Sequence, residues 1–426
     1  MVSYTKLSKI TLIYIMLLGL FSRYTEHYYL WKIIFLCMFG CLCVSRKFVK
    51  QLCKIISNKY LIFSIAISLF SICFSNNNMY LISNLNLLLW PFLFMITIVT
   101  IFLSEPENVS TVLKKSCLPL NVLMIINLVI LIIQCMGIPI FIKNSWRELN
   151  SYYEDLCCGL FGYNGTHELT MFLLFMNAFN LSSWSNCRKN KKAFIVYICI
   201  VDVLIALTST KNDNIAMVLL IPFFLVVYLL VIEYLKKEKI SIILNKFGRY
   251  IVILCVMVLV AFMIPSTRKF INEYVLIRVK MVINVTNPRY QINGSNERLA
   301  IPLNALYHIN GWLFGEGIGA ASYGGGSFFG YNHFGLSSIG TLVMTGGIWF
   351  YLFYTLFYAK TIMKMVKSRH KFPEILCFGL IVLLTIYTIF YTSFVTTIWY
   401  TFFFMVIGND KNKRGLRTRY SNGSKI

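Results

Sequence analysis

Six residues of this sequence put charge where charge is scarce: Arg147, Lys211, Arg289, Arg298, Glu316 and His333. A guanidinium group matches phosphate oxygens bidentately and keeps its charge in a low-dielectric setting. Arg147, Arg289 and Arg298, with Lys211, are therefore candidates to hold a pyrophosphate at headgroup depth. His333 ends a glycine-rich stretch beside Asn332, and an imidazole there could take a proton from a sugar hydroxyl near neutral pH. Glu316, within Gly315-Glu316-Gly317-Ile318-Gly319, is a second candidate proton acceptor. Each residue also has a plainer reading. Cations at a membrane boundary snorkel to lipid headgroups, and a histidine at a helix end, such as His27, His167 or His308, is usually a satisfied polar residue.

The elements that must position these groups are set by composition. The chain has 426 residues, of which 58% are hydrophobic and only 13% charged. A soluble domain would carry about 25% charged residues. Repeated apolar runs near the roughly 20 residues needed to cross about 30 Å of hydrocarbon predict an all-α, polytopic transmembrane bundle. Segmentation gives about twelve helices, near 8–22, 28–44, 60–74, 80–103, 117–138, 168–183, 193–208, 215–234, 250–264, 336–359, 374–391 and 394–407. A single membrane domain accounts for residues 1–426, with no internal repeat and no soluble module.

The net charge of +24 suggests nucleic acid until its location is considered. With the N-terminus inside, 29 of the 40 basic residues fall on the cytoplasmic side. They cluster at Arg46–Lys59, Arg188–Lys192, Lys236–Arg249, Lys360–Lys371 and Lys411–Arg419. The charge is thus topological, as the positive-inside rule requires. Both termini are expected in the cytoplasm, and nucleic acid is not an expected partner. The first helix lacks a small-residue cleavage site and reads as a signal anchor. Most of the 13 cysteines sit in apolar runs as small hydrophobes. Cys157-Cys158 falls in an outward loop, but nothing has zinc-ligand spacing.

Two outward segments are long, near 137–167 and 265–335, and the second carries the candidate active site. It opens on apolar residues at Phe270, Tyr274, Val279 and Ile283 interleaved with Arg268, Lys269, Arg278 and Lys280, which predicts an amphipathic helix near the outer leaflet. Ser295 could cap a second helix that Pro302 kinks or delays. Gly315-x-Gly317-x-Gly319 lacks the preceding strand and βαβ unit of a dinucleotide fingerprint, so its glycines read as tight turns. Asp202 lies inside a predicted helix, where a carboxylate is costly, yet no chain of such groups marks an ion path.

The order of these features resembles the O-antigen polymerase and ligase superfamily of bacterial membrane glycosyltransferases. Arg147 followed by Gly159-Leu-Phe-Gly-Tyr-Asn-Gly-Thr-His-Glu-Leu is similar to that family's first outward loop. Leu207-Thr208-Ser209-Thr210-Lys211 stands at its short loop, where Lys211 replaces the usual arginine. Arg298 through Gly311-Trp-Leu-Phe-Gly-Glu-Gly-Ile-Gly to Asn332-His333 resembles its large catalytic loop, with the His-Asn pair reversed. The likeness covers roughly residues 120–360, carried by the ordered set of features rather than by any one motif.

The resemblance implies a metal-independent, cofactor-free glycosyltransferase in the bacterial cytoplasmic membrane. It would join undecaprenyl-pyrophosphate-linked oligosaccharide repeat units on the outer face, making a capsule, O-antigen or exopolysaccharide. It implies pyrophosphate held by Arg147, Lys211, Arg289 and Arg298, and His333, Arg298 and Glu316 as catalytic candidates. A flippase and a chain-length regulator are the partners it suggests, besides the bilayer. A ligase that transfers finished glycan, and a transporter of lipid-linked sugars, are the alternative expectations.

Overall fold

The computed structural model describes residues 3–25, 30–74, 79–138, 158–162, 165–184, 313–319, 338–366 and 394–422, plus a few isolated positions. Every element among the described residues is helical. They are α1 (Tyr4–Thr25), α2 (Leu30–Cys43), α3 (Arg46–Ile56), α4 (Lys59–Phe74), α5 (Leu81–Ser104), α6 (Pro106–Cys135), a 3-10 turn (Gly159–Phe161), α7 (Thr166–Trp184), α8 (Ser338–Val366) and α9 (Phe394–Asn422). Four helices, over Tyr4–Phe21, Leu81–Ser104, Pro106–Gln134 and Thr341–Val366, are long and apolar enough to cross a bilayer. The pair Arg46–Ile56 and Lys59–Cys73, bent by 64°, makes a fifth if counted as one span. A helix satisfies its backbone polar groups internally, which is what lipid demands. The chain is a helical membrane protein.

Predicted and observed helices agree at most boundaries, differ clearly at three, and one helix has no predicted counterpart. The predicted 117–138 helix begins earlier, at Pro106, because proline suits a first helical position, where its missing N–H would have had no partner. The predicted 336–359 helix runs on to Val366, and the predicted 394–407 helix continues through the basic tail to Asn422. The basic stretch after Arg46 is itself a helix, α3. It buries Phe48, Leu52 and Ile55 and exposes Arg46, Lys47, Lys50 and Lys54. The predicted helices at 193–208, 215–234 and 374–391, nearly all of 250–264, the amphipathic stretch from Phe270 and the kink at Pro302 lie outside the described residues.

The core gathers on α9. Trp399 is fully buried, with its ring 4.8 Å from that of Phe172 and 5.1 Å from that of Phe175, both on α7. Its indole Nε1 donates to the Gly19 carbonyl of α1 at 3.1 Å, so the polar tip of a large apolar anchor is satisfied. A second cluster joins α2 to α5 and α9, where Trp31 packs 5.3 Å from Trp90 and 5.0 Å from Phe394. One polar pair inside the bundle joins two helices directly. Asn121 of α6 and Asn180 of α7 exchange amide hydrogen bonds of 2.8 and 2.9 Å. Such bonds tie helices together where water does not compete.

Helices α4 and α8 pack antiparallel. At one end Lys364 Nζ donates to the Lys54 carbonyl at 3.0 Å, and Tyr60 stacks 6.3 Å from Phe353. At the other, Ser71 Oγ donates to the Thr345 carbonyl at 2.6 Å. The lysine end also holds Lys47, 3.3 Å from Glu105. The glycine-rich segment 313–319 docks at the opposite end.

Candidate functional site

The segment Leu313–Gly319 is held by a break in α8. Gly346 (φ −163°, ψ 30°) and Gly347 (φ 69°, ψ −167°) leave helical geometry in the middle of an otherwise apolar run. A helix broken there releases carbonyls that would have accepted bonds from the next turn. The segment takes them up. The Glu316 and Gly317 amides both donate to the Met344 carbonyl, at 2.8 and 3.0 Å. The fit requires glycine at 347: a Cβ there would lie 2.2 Å from the Leu313 carbonyl oxygen, and the φ of 69° is itself left-handed.

The other side of the segment is anchored on α5. Asn84, 1% exposed, donates its side-chain amide to the Ile318 carbonyl at 2.7 Å. The backbone amide of Tyr80, just before α5, donates to the Gly319 carbonyl at 3.1 Å. Ile318 itself is buried. Glu316 is thus fixed through its backbone, between α5 and the α8 break, and is partly buried. A carboxylate on such an anchored backbone can accept a proton or orient a hydroxyl.

A second glycine turn is held in the same manner. Gly159 (φ 62°) opens the 3-10 turn, and its amide donates to Gln134 Oε1 at 2.8 Å. The Leu160 amide donates to Asn127 Oδ1 at 2.7 Å. Two amide side chains of α6 thereby set the entry into α7, where the Leu169 amide closes onto the Gly165 carbonyl at 2.9 Å. His167 and Glu168 follow, 7% and 1% exposed. His167 is thus a buried helix-end histidine, in keeping with its plainer reading, and Cys158 is fully buried.

Of the candidate site residues, the structure describes Glu316. Arg147, Lys211, Arg289, Arg298 and His333 lie outside the described residues, as do Asp202, Asn332 and Cys157. Sequence reading missed Asn84, Asn127 and Gln134, which hold the two glycine turns, and Ser71, which bonds α8 beside its break. The available signal was an amide or hydroxyl within an apolar run, since such a group needs a partner in lipid. No family model matches the chain, and no curated protein or solved structure matches it either.

Proposed function

We propose that the chain is a polysaccharide polymerase of the cytoplasmic membrane, built as a bundle of about twelve helices with both termini in the cytoplasm. It acts on undecaprenyl-pyrophosphate-linked oligosaccharide repeat units at the outer face. The observation that carries this reading is the docking of Gly315–Gly319 against the broken α8, at the end of the α4–α8 pair opposite the lysines. It anchors the backbone of Glu316 at one end of the bundle, and in this reading that is the end at which a lipid-linked pyrophosphate presents its first sugar.

The chemistry is a displacement at the anomeric carbon. An acceptor hydroxyl on one repeat unit attacks that carbon on another, and the bond from carbon to pyrophosphate oxygen breaks. The electron pair leaves with undecaprenyl pyrophosphate, and the hydroxyl proton passes to His333 or, as the second candidate, to Glu316. Arg147 and Arg298, with Lys211 and Arg289, offset the charge that develops on the leaving group. No cofactor enters the balance.

A transporter of lipid-linked sugars is favoured by different observations. Helix α8 is discontinuous, and both amide atoms of Asn177, 1% exposed within α7, are without a partner. Discontinuous helices and polar groups at mid-span are common in transporters. Glycan analysis in a strain lacking the chain separates these readings. Single repeat units accumulating on the outer face support a polymerase, units trapped inside support transport, and full-length chains stranded on carrier support a ligase. Complementation with Arg298→Ala should give normal protein abundance and no polymer; wild-type chain length would remove Arg298 from the site.

A further inference from the structure

Four lysines from three helices converge at the end of the bundle away from Glu316. Lys59 and Lys360 lie with their ammonium groups 5.5 and 4.4 Å from the centroid of one ring, that of Tyr60. Lys364 Nζ reaches the carbonyl of Lys54, at the end of α3, at 3.0 Å. Among the described residues none of the four has a carboxylate within ion-pair distance, whereas nearby Lys47 has Glu105 at 3.3 Å. Like charges gathered without a counter-charge repel one another, so the cluster is suited to an anion.

The surface below the cluster indicates which anion. Along α4, Ile62, Phe63, Ile65, Leu69 and Phe70 are exposed, and Trp349 and Leu352 of α8 continue the apolar lane. A charged head above an apolar track matches an anionic phospholipid, with its phosphate among the lysines and its acyl chains against α4 and α8. We infer that the Lys54–Lys59–Lys360–Lys364 cluster is a binding site for the phosphate headgroup of an anionic phospholipid of the cytoplasmic leaflet. This goes beyond the proposed polymerase activity and does not depend on it.

The full chain, purified and reconstituted in nanodiscs of equal phosphatidylglycerol and phosphatidylcholine, is released into native mass spectrometry and the retained lipids are counted. Each lysine near an anionic headgroup strengthens association about fivefold. Lys360→Gln with Lys364→Gln should therefore lower the preference for phosphatidylglycerol about 25-fold. The pair Lys114→Gln and Lys115→Gln, exposed on α6, should leave it within about twofold, because these lysines are outside the cluster. The Lys360→Arg, Lys364→Arg pair keeps both charges and should keep the lipid. Equal losses in the two glutamine pairs would overturn the site in favour of diffuse charge. Loss of lipid in the arginine pair, or its displacement by millimolar glycerol 3-phosphate, would overturn it as well.

Discussion

Gly347→Ala tests whether the α8 break holds the Glu316 segment. The added Cβ would lie 2.2 Å from the oxygen and 2.3 Å from the carbon of the Leu313 carbonyl. Both are backbone atoms, so no rotamer change relieves the clash, and segment 313–319 must move away. Two bonds to the Met344 carbonyl are then lost, each worth about 1 kcal/mol net. Holding alanine at φ 69° costs roughly 1–2 kcal/mol more. Together the opening free energy of the segment falls by about 3–4 kcal/mol, a rise of roughly 100- to 1000-fold in amide exchange. Hydrogen exchange of the detergent-purified protein, read on the peptide containing Glu316 and Gly317, measures it directly. Gly40→Ala is the control: an added Cβ there meets nothing within 4 Å, and alanine is favoured inside a helix by about 1 kcal/mol. Unchanged protection of Glu316 and Gly317 in Gly347→Ala would refute the docking of the segment on the break. A rise in Gly40→Ala as well would show that exchange is global.

Gly159→Ala should destabilise the protein by about 2–3 kcal/mol, because its Cβ would sit 2.0 Å from Asn127 Oδ1 at φ 62°; thermal unfolding in detergent reads this, and a wild-type transition would deny the turn. A double-mutant cycle of Asn121→Ala and Asn180→Ala, followed by unfolding in denaturing detergent, should give a coupling of about 0.6–1.7 kcal/mol. Zero coupling would mean that the amide pair does not join α6 to α7. His333→Ala should slow turnover of purified enzyme by about 100- to 10,000-fold if the imidazole is the base; normal turnover would leave it a structural role.

Hydropathy made the helices legible because each must supply about 20 apolar residues in sequence. It could not reveal α3, whose Phe48, Leu52 and Ile55 face inward at helical spacing while Lys50, Gln51 and Lys54 interrupt the apolar run. A search for long apolar runs reads that stretch as a loop. Nor could it reveal the break in α8, since glycine pairs occur in regular transmembrane helices and only the dihedrals of Gly346 and Gly347 distinguish this one. The glycine-rich passage stands out in the sequence as a candidate because lipid would not tolerate it. Its anchors do not, because Asn84 and Met344 are separated from it in sequence and meet it only through packing. The cations assigned to pyrophosphate were chosen for charge in scarce places, a criterion that fixes side of membrane more firmly than mutual distance.

The α4–α8 pair holds the lysine cluster and the Glu316 segment at opposite ends, so the side of one sets the side of the other. From Ile348, just past the break, to Lys364, which reaches α3, a helix rising 1.5 Å per residue covers about 24 Å. That is most of the roughly 30 Å of a bilayer core. The lysine cluster and the Glu316 segment are therefore separated by most of a hydrocarbon thickness on the same pair of helices. If the lysines lie in the cytoplasmic headgroups, the segment with Glu316 must lie near the outer ones. Any chemistry performed by the loop that carries it then works on substrates already moved across the membrane, so the supply of lipid-linked units to that face must precede it.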